Sequence, residues 1–158
     1  MDLQTEQAVW SRVKAPGGVS AEEAVLPERL EALILEEGSL ARSLRSLAPR
    51  LRGPQKAELQ RIAARNESRA RSLTTLHYLL TGRRLRLRPP RPSRPGPLPE
   101  ALREACLQMR QCVRAYEALE KEFSAFEEDF ARYSNQSRTD ARGLTAFLEQ
   151  QLRVGQEL

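Results

Sequence analysis

Residues 88–99 read RPPRPSRPGPLP, and this stretch divides the chain into two halves. It holds six of the ten prolines in the chain. Proline fixes its own φ and lacks a backbone N–H, so neither a helix nor a strand continues through such a stretch. Gly82, a residue type that often ends a helix, closes the segment before it. The sequence therefore predicts an irregular crossover over residues 82–98.

Four segments outside the crossover carry apolar residues at three- and four-residue spacing, which is typical of a helix with one buried face. Pro27 suits the first turn of the first helix, and Pro49 ends that helix. Ser124 and Glu127 have the spacing of a capping box at the start of the last helix. The predicted helices are residues 27–48, 54–81, 99–121 and 125–152.

The lengths of the connections predict how the four helices are arranged. Short links join the first helix to the second and the third to the fourth, so each pair forms an antiparallel hairpin. The crossover has about 16 residues and spans ~50 Å in a polyproline II conformation, which is enough to run the length of the bundle. We therefore expect an all-α four-helix bundle over residues 27–158, with two hairpins joined by a long Pro/Arg-rich crossover. The sequence also predicts an amino-terminal extension over residues 1–26, in which the spacing of apolar residues allows a short amphipathic helix over residues 2–14.

Composition argues against several classes of protein. No apolar run approaches the ~20 residues that a membrane-spanning helix needs. Residues 1–10 contain Asp2 and Glu6 and no apolar core, so we expect no secretory signal. Two cysteines and one histidine are too few for a Cys/His zinc module or a disulfide-stabilised scaffold. We therefore expect a protein of the reducing cytoplasm.

The net charge of +5 comes from one segment. Six arginines lie within twelve residues that contain no acid, and the rest of the chain has 20 basic against 21 acidic residues. Such a segment can bind nucleic acid, phosphate or an acidic partner. It has no interleaved aromatic residues, however, and Leu85 and Leu87 alternate with arginine, which favours a solvated crossover lying against the bundle. The candidate anion-binding residues are Arg83, Arg84, Arg86, Arg88, Arg91 and Arg94.

Polar residues interrupt the apolar stripe near the middle of three of the four helices. The residues at this level are Glu37 in the first helix, Asn66 and Arg69 in the second, Met109 in the third, and Ser137 and Asp140 in the fourth. A buried ionised side chain is strongly destabilising without a partner. Because the middles of the helices meet at one level of a bundle, we expect these six residues to form one layer, called here the mid-bundle layer.

Three of the helices resemble those of bacterial rubrerythrin-like proteins of the ferritin-like superfamily. The matching stretches are residues 63–73 and 77–82 (HYLLTG) in the second helix, 33–48 in the first, and 98–116 in the third. The resemblance covers residues 28–152 and implies a ferritin-like bundle. It also implies two irons, held by a Glu on the first and third helices and by a Glu-x-x-His on the second and fourth. The flanking matches place these six ligands on the six residues of the mid-bundle layer.

Only Glu37 keeps the ligand type that the family has at its position. The other five residues depart from the pattern, and neither histidine is retained. Iron and manganese need carboxylate and imidazole ligands, whereas Arg69 brings a fixed positive charge into the same space. We therefore expect a vestigial layer without a metal, a cofactor or a catalytic residue. The alternative is an atypical iron or manganese site in an oxidoreductase or an iron-handling protein.

Arg69 is expected to take the place of the metals. In this hypothesis its guanidinium lies between Glu37 and Asp140, while Asn66 and Ser137 complete the hydrogen bonds. Two carboxylates and one arginine leave a net charge of about −1, so one acid is protonated or hydrated. The alternative is that Arg69 extends outward to solvent and that the layer is hydrated.

The sequence contains no glycine-rich phosphate loop and no catalytic Ser/His/Asp or Cys/His set. We therefore expect a non-catalytic bundle with a binding or structural role and a protein partner that the residues do not identify. Formation of a homodimer is a further alternative, since many helix bundles form dimers. No long apolar outer face marks an interface for it. Binding of nucleic acid through the crossover is the less favoured alternative.

Overall fold

The computed structural model describes residues 21–91 and 96–157 of the chain. Every regular element in these residues is helical, which confirms an all-α protein with four helices. Two short 3-10 turns, Ala48–Arg50 and Ser124–Phe126, lie in the links within the hairpins. The helices are α1 (Ala21–Leu47), α2 (Gly53–Thr81), α3 (Leu98–Glu122) and α4 (Glu127–Glu157). The short helix predicted over residues 2–14 lies outside the described residues, as does Arg94.

The start of α1 differs from the prediction. The helix begins at Ala21, so Pro27 lies inside it rather than in its first turn. Leu26 is only 1 % exposed, and this apolar residue extends the buried stripe toward the amino end, beyond Pro27. The last part of the predicted amino-terminal extension, residues 21–26, therefore belongs to the bundle.

The carboxyl end of α2 lies where the sequence predicts it, whereas the carboxyl end of α4 does not. Gly82 ends α2 in the left-handed conformation, with φ 71°, and its N–H donates to the carbonyl oxygen of Tyr78 at 2.7 Å. In contrast, α4 continues past its predicted end at Leu152 to Glu157. Leu152 and Val154 are 41 % and 50 % exposed, so this last part of α4 extends beyond the packed core.

Contacts between helix ends define the directions of the helices. The Arg29 side chain near the amino end of α1 forms an ion pair with Glu122 at the carboxyl end of α3. Glu31 in α1 lies 3.1 Å from His77 near the carboxyl end of α2. The carboxyl ends of α2 and α3 therefore meet at the same end of the bundle, so these two helices run parallel. Parallel helices that are consecutive in the chain need a connection that returns along the whole bundle.

The crossover makes this return along α1. The Arg42 guanidinium donates to the carbonyl oxygen of Pro89 at 3.0 Å, and that of Arg50 donates to the carbonyl oxygen of Gly96 at 2.8 Å. Between Gly82 and Pro89, the half-buried side chains of Leu85 and Leu87 pack against the core. Apolar anchors at one end and carbonyl hydrogen bonds further along thus hold the described residues of the crossover, 82–91 and 96–98, on the bundle.

Two apolar clusters form the core, and the mid-bundle layer lies between them. One cluster fills the end where α1 begins and includes Leu30, Leu73, Tyr116, Phe126 and Phe130. The other fills the opposite end and includes Leu44, Leu59, Ile62, Leu102 and Leu144. Among the described helices, none combines the length and apolar character that crossing a membrane requires.

Candidate functional site: a buried arginine between two carboxylates

All six residues of the mid-bundle layer are buried. Each lies on the inward stripe of its helix, and all but Met109 interrupt the apolar pattern there. Their exposed fractions are 0 % for Glu37, Asn66, Met109 and Ser137, and 2 % for Arg69 and Asp140. The four helices therefore bring two acids, one arginine and two neutral polar side chains together in a space closed to solvent.

The Arg69 guanidinium lies inside the bundle and contacts both acids. Its Nε donates to Oε1 of Glu37 at 2.9 Å, and its Nη1 donates to Oδ2 of Asp140 at 3.3 Å. Its Nη2 donates to Oδ1 of Asn66, one turn earlier in α2, at 3.2 Å. The alternative in which Arg69 extends to solvent does not describe this arrangement.

Two further side chains join the cluster, and sequence reasoning missed both. The Tyr116 hydroxyl donates to Oε1 of Glu37 at 2.8 Å, so α3 also contributes to the network. Arg65, whose side chain is 40 % exposed, reaches Oδ1 of Asp140, with Nη2 at 2.6 Å and Nε at 2.8 Å. The spacing along the sequence indicates that both can face the layer. Arg65 lies four residues before Arg69, and Tyr116 lies seven residues after Met109, so each is on the same helix face as its partner.

Arg65 changes the charge balance of the layer. Two guanidinium groups, of Arg65 and Arg69, face the two carboxylates of Glu37 and Asp140. These four groups alone are formally neutral when both acids are ionised, whereas the sequence predicted about −1. Arg65 is shared with the surface, because its Nη2 also lies 3.7 Å from Oε1 of Glu58. The partially exposed Arg65 also connects Asp140 to the surface of the bundle.

Burial shifts the protonation equilibria of the cluster. Desolvation raises the pKa of Glu37, and the opposing effects of Arg69 and Tyr116 only partly offset it. Desolvation, together with the negative charge of Glu37, also raises the pKa of Tyr116. For Arg69, desolvation acts against the charge, but the attraction and hydrogen bond of Glu37 together with the attraction of Tyr116 and Asp140 outweigh it and raise the pKa of Arg69. Arg69 is consequently the permanent cation of the layer, and Glu37 is the acid that takes up a proton more readily than usual.

The hydrogen bonds are less complete than the sequence predicted. Asn66 uses its carbonyl oxygen for Arg69, but its Nδ2 finds no acceptor among the described residues. The hydroxyl of Ser137 and Oε2 of Glu37 are likewise buried without a partner in the described part of the chain. Ser137 thus lies in the layer but does not complete the network, because its hydroxyl makes no hydrogen bond within the described residues.

The donor set does not fit a di-iron centre. The side chain of Arg69 occupies the space between the two acids, and Met109 brings a thioether where the family has a carboxylate. Residues 21–91 and 96–157 contain no group of three or more His, Cys, Asp or Glu side chains placed to hold a metal ion. The polar atoms of the layer are those of an internal ion-pair network rather than of a ligand set for iron or manganese.

The crossover is a second charged feature, and its charges are exposed to solvent whereas those of the mid-bundle layer are buried. Its arginines in the described part, Arg83, Arg84, Arg86, Arg88 and Arg91, are exposed. None of these five side chains forms an ion pair within the described residues. Because Leu85 and Leu87 pack inward, the crossover lies against the bundle as predicted and still presents its charges to solvent.

No protein-family model, curated protein or solved structure significantly matches the chain. The resemblance to ferritin-like proteins therefore stays a prediction from the sequence, based on the helix order, the crossover and the Leu-Leu-Thr-Gly ending of α2.

Proposed function

We propose that this chain is a ferritin-like protein in which Arg69 has replaced the di-iron centre, and that it acts as a non-catalytic binding or structural protein. One observation carries the proposal: the Arg69 guanidinium bridges Glu37 and Asp140 inside the bundle, at 2.9 and 3.3 Å. A guanidinium cannot be deprotonated in a protein, so it supplies the positive charge that would otherwise come from a metal.

Closure of the layer supports a role without catalysis. Its polar residues are at most 2 % exposed, so a substrate does not reach them without opening the bundle. The groups that could transfer a proton, Glu37 and Tyr116, are hydrogen-bonded to each other. Their raised pKa values follow from burial, which structural networks also produce.

The network supports a structural role because it connects all four helices. Glu37 belongs to α1, Arg69 to α2, Tyr116 to α3 and Asp140 to α4. Two of its hydrogen bonds, Tyr116 to Glu37 and Arg69 to Asp140, join one hairpin to the other and form only when the two hairpins have the correct relative height. Buried polar networks of this kind can specify register, since any other alignment leaves a charge without a partner.

Metal analysis tests the proposal against its enzymatic alternative. The chain is produced in medium supplemented with iron and manganese, purified without chelators, and its metal content is measured per chain. We expect far less than one metal per chain for the wild type. A stoichiometric content of iron or manganese that is lost in a Glu37→Gln variant would instead favour the metal-binding alternative.

A specific observation favours a second function, binding of an anionic macromolecule through the crossover. The five described arginines of this segment are exposed, and the segment is fixed on the bundle by Leu85 and Leu87. We expect weak, salt-dependent binding to single- or double-stranded nucleic acid that decreases when these arginines are changed to glutamine. An affinity that is unchanged by these substitutions would contradict this function.

A further inference from the structure

We infer that the outer groove between α3 and α4 binds an organic phosphate of nucleotide size, with its phosphates held by arginines and its ring on an apolar floor. The groove has a volume of about 470 Å³, within the range of small-molecule sites. Its floor includes Val113 and Ala141, which are 9 % and 7 % exposed. The inference is independent of the mid-bundle layer and goes beyond the proposed function.

Arginines line both sides of this groove. Arg110 and Arg114 project from α3, and Arg138 and Arg142 project from α4. Each pair is separated by four residues, so like charges lie one turn apart on the same helix face. This spacing destabilises a helix when nothing compensates the repulsion.

The charges of the groove are only partly compensated within the protein. Glu117 forms an ion pair with Arg138. Glu149, at the other end of the groove, lies 3.8 Å from Arg153 of its own helix. Arg110, Arg114 and Arg142 make no ion pair within residues 21–91 and 96–157. Three guanidinium groups on two facing helices are therefore available for an anion.

The chemistry of the lining selects the class of ligand. Guanidinium groups bind phosphate oxygens with two parallel hydrogen bonds, and two helices can hold successive phosphates from opposite sides. A single inorganic phosphate fills only a small part of 470 Å³, whereas a nucleotide also covers the apolar floor. The described residues that line the groove include no aromatic side chain on which the bases of a nucleic acid strand could stack. A small phosphate ester therefore fits this groove better than a polymer.

Calorimetric titration of the full chain with ATP, tripolyphosphate and adenosine tests the inference. We expect ATP to bind more tightly than tripolyphosphate, and adenosine to bind much more weakly than either. The triple variant Arg110→Gln/Arg114→Gln/Arg142→Gln should lose at least about tenfold in affinity for ATP, because it removes several charge-assisted hydrogen bonds. The three arginines are exposed, and a melting curve verifies that the variant folds.

A matched control separates a specific groove from a general effect of charge. Arg83→Gln/Arg84→Gln/Arg86→Gln removes the same charge from the crossover and should leave the affinity for ATP within about twofold. An equal loss in both triple variants would overturn the inference, as would the absence of ATP binding by the wild type. Equal affinities for ATP and tripolyphosphate would overturn the assignment of the apolar floor. Methyl resonances of Val113 and Ala141 should shift on addition of ATP, and unchanged resonances would place the ligand elsewhere.

Discussion

Arg69 in α2 donates a hydrogen bond from Nε to Oε1 of Glu37 in α1, at 2.9 Å, with both side chains withdrawn from solvent. The bond joins a buried cation to a buried anion across a hairpin. It lies in the mid-bundle layer, between the two apolar clusters of the core. A buried pair of this kind is hard to break from one side, because the remaining partner keeps a charge without compensation.

A double-mutant cycle measures this pair. Arg69→Met and Glu37→Leu should each lower the free energy of unfolding by about 3 kcal/mol, because each leaves an unpaired polar group in the core. The double variant should cost less than the sum by about 1–3 kcal/mol, since both partners are then apolar. Urea unfolding of the four proteins gives the coupling energy.

The exposed pair Arg45 and Glu67 is a matched control, because it joins the same two helices at 2.5 Å. The corresponding cycle, Arg45→Met with Glu67→Leu, should give a smaller coupling than the buried pair, since solvent screens the interaction. A coupling as small for the buried pair as for the exposed one would contradict a network held by Arg69.

The stability of the protein should depend on pH through Glu37. The fold raises the pKa of this residue above 4.5, so the folded state binds its proton more tightly than the unfolded chain. The contribution is fully present below pH 4.5 and is lost as the pH rises through the pKa of the folded state. Wild type should therefore lose stability relative to Glu37→Gln as the pH rises above 4.5, by at most about 1.4 kcal/mol per pH unit.

Urea unfolding of wild type and Glu37→Gln between about pH 4 and 8 provides the comparison. The difference between the two proteins should level off once the pH exceeds the folded-state pKa. A wild type that gains stability over the variant with rising pH would show that Arg69 dominates over burial and lowers the pKa of Glu37.

The position of the crossover can be tested at a single glycine. A Cβ atom at Gly38 would lie 2.8 Å from Cγ of Pro89, so Gly38→Ala forces the crossover away from α1. We expect a loss of about 1–3 kcal/mol, despite the better helix propensity of alanine. Thermal or urea unfolding measures it.

Gly143 in α4 is the control for this substitution. A Cβ atom there would meet Cδ1 of Ile62 at 3.7 Å, an ordinary contact. Gly143→Ala should therefore stabilise the protein by up to about 1 kcal/mol. If both variants were stabilised equally, the crossover would not lie against α1 at this point.

Local chemistry explains which parts of the structure could be predicted. The proline-rich stretch and Gly82 act through their own backbone constraints, so the crossover and the end of α2 follow from the sequence. Glu37 and Arg69 interrupt apolar stripes, so periodicity places them in the core. In contrast, the start of α1 predicted from Pro27 was wrong, because the burial of Leu26 by its neighbours outweighs the preference of proline for the first turn of a helix.

The contacts within the layer depend on tertiary geometry that periodicity does not describe. Tyr116 belongs to the apolar stripe of α3, and the pattern does not show that its hydroxyl reaches Glu37. Arg65 lies at the edge of the buried face, where only the position of α4 decides that it meets Asp140. Periodicity likewise places Ser137 in the layer but does not show that its hydroxyl lacks a hydrogen-bond partner among the described residues.

The proposed family relationship predicts that iron binding can be restored. The family pattern returns with five substitutions, Asn66→Glu, Arg69→His, Met109→Glu, Ser137→Glu and Asp140→His, while Glu37 is kept. We expect two irons per chain in this variant, because all six ligands then face one space. Elemental analysis after reconstitution with iron(II) measures the content, and circular dichroism verifies the helices.

Arg69→His alone should bind no stoichiometric iron, since three of the four carboxylates of the family pattern, at positions 66, 109 and 137, are still missing. A helical five-fold variant without iron would contradict the assignment of these positions to the family's ligands.

The most direct measurement is X-ray diffraction from crystals of the wild-type chain grown with excess manganese, with anomalous data collected for the metal. We expect electron density for the Arg69 guanidinium between Glu37 and Asp140, and no anomalous peak in the mid-bundle layer. An anomalous peak bound by Glu37 and Asp140, with the Arg69 side chain turned toward solvent, would contradict the replacement of the metal by arginine.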